Sequence, residues 1–339
     1  MNKKVDFWFD FSNPPHVNLF LPIKKHFENQ GFKSIATARS FVETTGLLDK
    51  YNVEYKSFGK HGGKNRLSKT KNLLLRNFLL YRNIPDFKLS ISSSFEAPQI
   101  SWLKNRPSVI FDDNETAPNW LYSKFVSYVF SPDVIEIKNW TKNGINPKKV
   151  IPYPGFKEDI YIADYVPDPN FLSQLPFKKF VTVRPENIFA AYVPKNTKSI
   201  TPDLIKKLSE RGYNILYLPR YEIDKSYYSK QENIFVPDKP LNGLDVCYYS
   251  DAVLTGAGTF AREAAIIGTP AISFFAGSQL LTVDQKMIEN ELMFFSRRVD
   301  EIMEYLDSLN LKLVKTDFSS SKTVKNFVVN SLMEIINKQ

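Results

Sequence analysis

The chain has 339 residues, 43% hydrophobic and 24% charged, a globular composition that excludes general disorder and is long enough for two separate cores. Lys and Arg number 45 against 36 Asp and Glu, and the formal net charge of +9 favours phosphorylated ligands or polyanions without specifying a fold. One cysteine, Cys247, excludes an internal disulfide, and with only three histidines beside it a structural zinc site is excluded as well.

In chain order, Val5–Asp10 reads as a strand with no apolar leader core ahead of it. Val17–Asn29 reads as a helix by its apolar spacing (Val17, Phe20, Leu21, Phe27) and stops at Gly31. Lys33–Thr37, Val53–Phe58, Leu89–Ser92, Ser108–Phe111 and Val126–Phe130 read as further strands. Phe41–Tyr51, Leu73–Tyr81, Glu96–Lys104 and Asn119–Phe125 read as the helices between them. Such alternation predicts a parallel sheet covered on both faces. From Val150 to Pro169 the texture changes, and Pro152, Pro154, Gly155, Pro167 and Pro169 predict a linker. The alternation restarts with strands at Phe180–Val183, Ile215–Leu218, Ile234–Val236, Val253–Thr255 and Ala271–Phe274, helices at Pro202–Arg211 and Phe260–Ile267, and a final amphipathic helix at Thr323–Asn337.

The expected architecture is therefore α/β, with two doubly wound domains facing each other across a cleft at the carboxyl ends of their strands. Their bounds are expected at 1–153 and 154–322, with 323–339 a helix placed to pack back across the hinge. No uninterrupted apolar run reaches about 18 residues, so no membrane-spanning helix is expected. The lone cysteine fits a reducing compartment, and a cytoplasmic location is expected.

The strand Val253–Thr255 runs into a glycine turn, Gly256 and Gly258, and then into helix-forming sequence with Thr259 at its start and Glu263 about one turn in. A helix beginning there aims unpaired N–H groups and the positive end of its dipole above the turn, and the glycines let a phosphate approach the backbone. Glu263 is then placed to accept from two ribose hydroxyls. An ordinary strand-to-helix turn has the same glycines; Glu263 and the stop at Gly268-Thr269-Pro270 favour a nucleotide. Arg184, with Glu186 beyond it, and Arg220 follow the two preceding strands on the same edge. Together they suit a bidentate clamp on a diphosphate, whereas each alone is as readily a surface ion pair.

In the first half, Asp10-Phe11-Ser12-Asn13-Pro14-Pro15-His16 joins the first strand to its helix. His16 is expected at the helix start, within reach of a proton transfer or a phosphate, with Asp10 as the partner that sets its tautomer. A solvated first-turn His16 with Asn13 or Ser12 as the cap remains open. Asp112, Asp113 and Glu115 follow a strand end, where they suit a general base or a divalent cation, or form a solvated acidic loop. From Lys60 to Arg82 the chain carries Lys60, Lys64, Arg66, Lys69, Lys71, Arg76 and Arg82 and no acidic residue, interleaved with leucines and Phe78. This reads as a helix packed on the sheet, or as a surface for an anionic membrane or a lipid-phosphate acceptor. No nucleic-acid module is recognised, and no nucleic-acid partner is expected.

The Asp10–His16 turn, Gly59-Lys60-His61-Gly62-Gly63, Asp112-Asp113-Asn114-Glu115, Tyr153-Pro154-Gly155, Val183-Arg184-Pro185-Glu186 and Gly256-Ala257-Gly258-Thr259 with Arg262-Glu263-Ala264 together resemble the DUF354 family, a mainly archaeal family of about this length. The resemblance extends over nearly the whole chain. It implies a GT-B-like fold of two Rossmann-like domains, alongside nucleotide-sugar glycosyltransferases and the UDP-N-acetylglucosamine 2-epimerases. The glycine turn with Glu263 is similar to the GT-B element where diphosphate meets a helix and a Glu binds ribose. His16 is similar in place to the catalytic-loop histidine of the lipid-linked peptidoglycan N-acetylglucosaminyltransferase. That enzyme has a glycine-rich loop before its histidine, where this chain has Asn13-Pro14-Pro15.

The expected function is a glycosyltransferase that moves a sugar from a nucleotide diphosphate donor to a hydroxyl acceptor, lipid-linked or polysaccharide, with no metal and no cofactor. His16, Asp10, Asp113 and Glu115 are the expected catalytic residues. Arg184, Glu186, Arg220, Gly256, Gly258, Thr259 and Glu263 are expected to hold the nucleotide diphosphate. Two further readings stay open: a UDP-GlcNAc 2-epimerase-type isomerase, which needs an acid and a base flanking one sugar carbon, and a non-catalytic nucleotide-sugar-binding protein. Peripheral contact with the inner face of a membrane through Lys60–Arg82 belongs to the first reading.

Overall fold

The computed structural model describes residues 4–60, 66–190, 192–228, 231–309 and 317–339, with the backbone alone at 60 and 66–70. It divides into two units, Met1–Ala163 with Ser320–Gln339, and Asp164–Ser319.

The first unit runs β1 (Val5–Phe11), α1 (Pro14–Asn29), β2 (Ser34–Ser40), α2 (Val42–Lys50), β3 (Lys56–Lys60), α3 (Arg66–Asn83), β4 (Phe87–Ser92), α4 (Glu96–Leu103), β5 (Ser108–Phe111), α5 (Trp120–Ser123), β6 (Tyr128–Pro132), α6 (Ile137–Thr141), β7 (Val150–Tyr153) and α7 (Lys157–Ile162). Its seven strands form one parallel sheet in the order β3-β2-β1-β4-β5-β6-β7. The central strand, Val-Asp-Phe-Trp-Phe-Asp-Phe, buries Phe7, Trp8, Phe9 and Phe11, as a strand covered on both faces must. Two polar features interrupt this core. Asp10 is fully buried within β1, and Arg76 reaches it from α3. Gly59 makes room for that reach: its φ is +77°, and a Cβ there would stand 3.0 Å from Arg76 Cδ.

The stretch expected as a linker is structured. Val150–Tyr153 is the edge strand β7, paired only with β6, where Pro152 forfeits no second ladder. Lys157–Ile162 is a helix that buries Ile160, Tyr161 and Ile162, so the unit closes at Ala163 rather than at residue 153. The last helix, α13 (Ser319–Asn337), begins four residues before the expected Thr323, and Ser321 Oγ donates to Asp159 Oδ1 of α7 at 2.6 Å.

The second unit runs β8 (Val181–Arg184), α8 (Thr201–Glu210), β9 (Ile215–Tyr217), β10 (Ile234–Phe235), α9 (Gly243–Tyr249), β11 (Ala252–Thr255), α10 (Gly258–Ile267), β12 (Ala271–Ser273), α11 (Thr282–Glu289), β13 (Phe294–Phe295) and α12 (Val299–Ser308). Its sheet is parallel in the order β10-β9-β8-β11-β12-β13. Amphipathic α8 and α12 bury Leu204, Ile205, Leu208, Ile302, Met303 and Leu306 against it. α9 and α11, of seven and eight residues, and the two-residue β13 are too short to show a period, whereas α12, ten residues and amphipathic, was passed over.

Candidate functional site

In the second unit, β8 and β11 are neighbours with Arg184 opposite Thr255, so their carboxyl ends lie side by side. The turn after β11 is pinned by Gly256 N donating to Arg184 O at 3.0 Å and Ala257 N donating to Thr255 Oγ1 at 3.0 Å. Helix α10 then starts at Gly258 with Ala257 as its N-cap, and no side chain caps its first N–H groups. An uncapped helix start at a strand end is a place for an anion.

Two guanidiniums share that edge. The Arg184 side chain lies 5.8 Å from the Phe260 ring centroid and makes no hydrogen bond or ion pair to any described residue. Arg220 is fixed by donating Nε–H to Pro185 O at 3.2 Å and its backbone N–H to Asp224 Oδ2 at 2.8 Å. Burial pushes the Arg184 pKa down to about 10 and the Arg220 charge pushes the same way, while Glu263 opposes both. A half-buried cation whose charged form is disfavoured by desolvation and by a second cation suits an anionic ligand. Glu263, nearly buried in α10, lies where its charge acts on Arg184. Thr259 Oγ1 accepts from Arg262 Nη2 at 3.4 Å, and Arg262 is itself paired with Asp284 at 2.6 Å.

Glu186 corrects the expectation made for it. Its carboxylate accepts from Ser199 Oγ (2.6 Å), Thr201 Oγ1 (2.8 Å), Ile200 N (3.0 Å) and Arg297 Nη1 (3.2 Å) and is 1% exposed. It anchors the start of α8 to the loop after β8, and its lone pairs are already spent.

In the first unit, the carboxyl edge carries His16 after β1 and Asp112 and Asp113 after β5. Prolines at 14 and 15 remove two N–H groups from the start of α1, and His16 N is turned onto Asn13 O at 3.0 Å. The start of α1 is therefore a poor anion cradle, unlike that of α10. Asn13 does not cap through its side chain. Ser12 N donates to His16 Nδ1 at 3.3 Å, which places the imidazole proton on Nε2. Burial lowers the His16 pKa to about 4, and the Lys157 charge adds to this, so the ring is neutral and offers an N–H donor.

Asp10, expected to orient His16, is held elsewhere. It accepts from Thr37 Oγ1 (2.6 Å), Ser94 Oγ (2.6 Å), Arg76 Nη2 (2.7 Å) and Ser12 Oγ (3.3 Å). Burial alone would raise its pKa, but the Arg76 charge and these donors outweigh it and hold the carboxyl ionised. Arg76 continues to Glu96 (3.1 Å), which also meets Arg39 (2.5 Å). The basic segment thus loses Arg76 to the interior. Among its described residues, α3 presents Leu74, Leu75, Phe78 and Tyr81 to solvent near Lys71 and Arg82. His61, Gly62, Gly63 and Lys64 lie outside the described residues, as do the side chains of Lys60, Arg66 and Lys69.

The acidic loop is differentiated. Asp113 pairs with Lys157 at 2.6 Å. Asp112 accepts from Tyr122 Oη (2.6 Å) and Asn114 N (2.9 Å). Burial raises its pKa to about 7, and the charge of Asp113 pushes it the same way. Glu115 accepts at its carbonyl from Asn143 Nδ2, 2.8 Å away. Among the described residues no group of three or more His, Cys, Asp or Glu is arranged to hold a metal ion, and no helix is long and apolar enough to cross a membrane. Sequence reasoning passed over Tyr122 and Lys157, although Lys157 stands two residues beyond the Tyr153-Pro154-Gly155 motif.

The family model described as "Protein of unknown function (DUF354)" matches residues 5–337. The chain belongs to the DUF354 family. A relative, an uncharacterized protein of Methanocaldococcus jannaschii, is 28% identical over 321 residues, covering 89% of this chain and 91% of that protein. The fold is that of two Rossmann-like units and is GT-B-like. The UDP-GlcNAc 2-epimerase of Methanocaldococcus jannaschii in complex with UDP-GlcNAc and UDP superimposes with a TM-score of 0.71 at 14% identity, over 98% of this chain and 100% of that one. MnaA of S. aureus with UDP gives 0.72 at 11%, over 98% and 97%. HepE of Anabaena with UDP and glucose gives 0.62 at 14%, over 97% and 99%. At these identities the likeness is one of fold.

Proposed function

We propose that this DUF354 protein binds a nucleotide diphosphate sugar and transfers the sugar to a hydroxyl acceptor. The observation that carries the reading is Arg184, a half-buried guanidinium without an anionic hydrogen-bond partner, set beside Arg220 and the uncapped start of α10. A diphosphate supplies the charge that this edge lacks. The solved structures of like fold that hold UDP or UDP-GlcNAc support the same ligand class.

In the reaction, the bond between the anomeric carbon and the diphosphate oxygen breaks, and the electron pair leaves with the diphosphate. Arg184, Arg220 and the N–H groups of Gly258 and Thr259 stabilise that developing charge, and Glu263 holds the ribose hydroxyls. The acceptor oxygen forms the new bond and gives up its proton. On the carboxyl edge of the first unit Asp112, poised near neutral pH, is the group to take it, with Asp113 paired to Lys157 and His16 offering Nε2–H to an oxygen. The exposed leucines of α3, with Phe78, Lys71 and Arg82, offer an acceptor with an apolar tail and an anionic group, or an anionic membrane surface, a place to dock.

One observation favours a second reading, 2-epimerisation of the same donor. His16 and Asp112 have pKa values displaced in opposite directions at one sheet edge, the arrangement an acid–base pair uses. Melting curves with UDP, GDP, CMP, dTDP and ADP test the donor site. A diphosphate at 100 times its Kd adds about 2.7 kcal/mol to wild type, and Arg184→Gln loses that shift. The reading falls when no nucleotide stabilises the wild type. Product analysis separates the reactions: free nucleoside diphosphate marks transfer, an epimer without it marks isomerisation, and tight binding without turnover marks a binding protein.

A further inference from the structure

Four exposed or half-exposed aromatic rings stand around Arg220 on the loops of the second unit, and nothing in the nucleotide reading uses them. Tyr192 and Phe275 stack on each other with centroids 5.3 Å apart and planes 25° apart, so each already covers a face of the other. Phe189 and Tyr221 differ. They meet edge to face, with centroids 5.4 Å apart and planes at 79°, and they are 67% and 40% exposed. Two aromatic rings set at a right angle and left open to water form a corner whose free face suits a flat ring.

The corner is fixed through Tyr221 and is tied to the anion-seeking edge. Phe189 follows β8 and Tyr221 follows β9, adjacent parallel strands, so both belong to the carboxyl edge that carries Arg184 and Arg220. Tyr221 is the next residue after Arg220, and Asp224 Oδ2 accepts the backbone N–H of both, at 2.8 and 3.0 Å. Asp224 is itself buried, which fixes the turn. Tyr221 Oη donates to Asn187 Oδ1 at 3.0 Å. That bond orients the Asn187 amide, whose Nδ2 donates to no described residue and so remains available to a ring carbonyl or ring nitrogen.

We propose that Phe189 and Tyr221, with Asn187 at their margin, form the seat for the planar base of the nucleotide. This rests on the diphosphate reading of Arg184 and Arg220 and adds to it the recognition of the base. The guanidiniums take the charge, which every nucleotide shares with inorganic pyrophosphate. The aromatic corner takes the flat heterocycle, which pyrophosphate lacks.

The test is a calorimetric titration of the full chain with UDP, GDP and ADP and, separately, with inorganic pyrophosphate. At least one nucleotide is expected to bind wild type roughly ten-fold or more tightly than pyrophosphate, the range that one base stacked on an aromatic ring supplies. Phe189→Ala and Tyr221→Ala are expected to erase that preference while leaving pyrophosphate affinity unchanged; both side chains are exposed, so folding is not at stake. Tyr221→Phe keeps the ring and should retain most of the preference. A preference that survives both alanine variants, or pyrophosphate binding as tightly as all three nucleotides, overturns the base seat and leaves the diphosphate reading standing. Failure of pyrophosphate and nucleotides alike to bind wild type overturns both.

Discussion

Gly256 lies so close to Glu186 that a Cβ on Gly256 would stand 2.5 Å from both Cα and Cγ of Glu186. The first glycine of the turn after β11 is therefore demanded by the protein itself: the loop after β8 packs directly on it. Glu186 cannot retreat, because four donors hold its carboxylate. The proposed anion site above the turn and the buried clamp beneath it thus share one piece of backbone.

Gly256→Ala is expected to destabilise the second unit by about 1–3 kcal/mol, the usual cost of forcing extra volume into packed surroundings. Calorimetric melting would show it as a drop of several degrees in that unit's transition. An unchanged transition would mean that the two loops separate freely, and the close approach would then have no structural weight.

Asp10→Asn is expected to act through folding. It leaves Arg76 buried with one of its two carboxylate partners gone, and breaking such a pair costs about 3–5 kcal/mol. Chemical denaturation should report that loss in the first unit. A stable variant with normal unfolding and abolished turnover would instead return Asp10 to the chemistry.

Two groups make the stability of the first unit depend on pH in opposite senses. The pKa of His16 falls from 6.5 unfolded to about 4 folded, so it contributes stability above pH 6.5 that is lost as pH falls toward 4. That of Asp112 rises from 3.8 to about 7, so its protonated form stabilises the fold at low pH and this contribution is lost as pH rises from 4 to 7. Melting curves between pH 4 and 7 should therefore show Asp112→Asn falling more steeply than wild type on acidification, and His16→Gln falling less steeply. Imidazole NMR should find His16 neutral with its proton on Nε2 down to about pH 5. A His16 that titrates near 6.5 would remove the basis of both expectations.

The doubly wound arrangement was legible because its strands are continuous apolar runs and its longer helices keep a regular spacing; α8 and α10 fall close to where that spacing puts them. Val150–Tyr153 was not legible. Four prolines and a glycine between Val150 and Pro169 look like a linker until the strand is known to lie at an edge, where a missing N–H costs nothing. The short helices α9 and α11 were hidden for a related reason, since seven or eight residues carry too few turns to show a period.

The candidate site divides along the same line. That arginines, glycines and acidic residues stand at strand ends follows from the chain order alone, because parallel strands put all their carboxyl ends on one edge. Residue type and sequence spacing cannot say which of those side chains is already satisfied. Only the tertiary structure shows that Asp10 and Glu186 are consumed by buried donors while Arg184 is left without an anion. It likewise decides that Ser12, not Asp10, sets the tautomer of His16. Whether a charge is spent or available depends on neighbours many residues away in sequence, such as Arg76 for Asp10 and Arg297 for Glu186, and that pairing is created by folding.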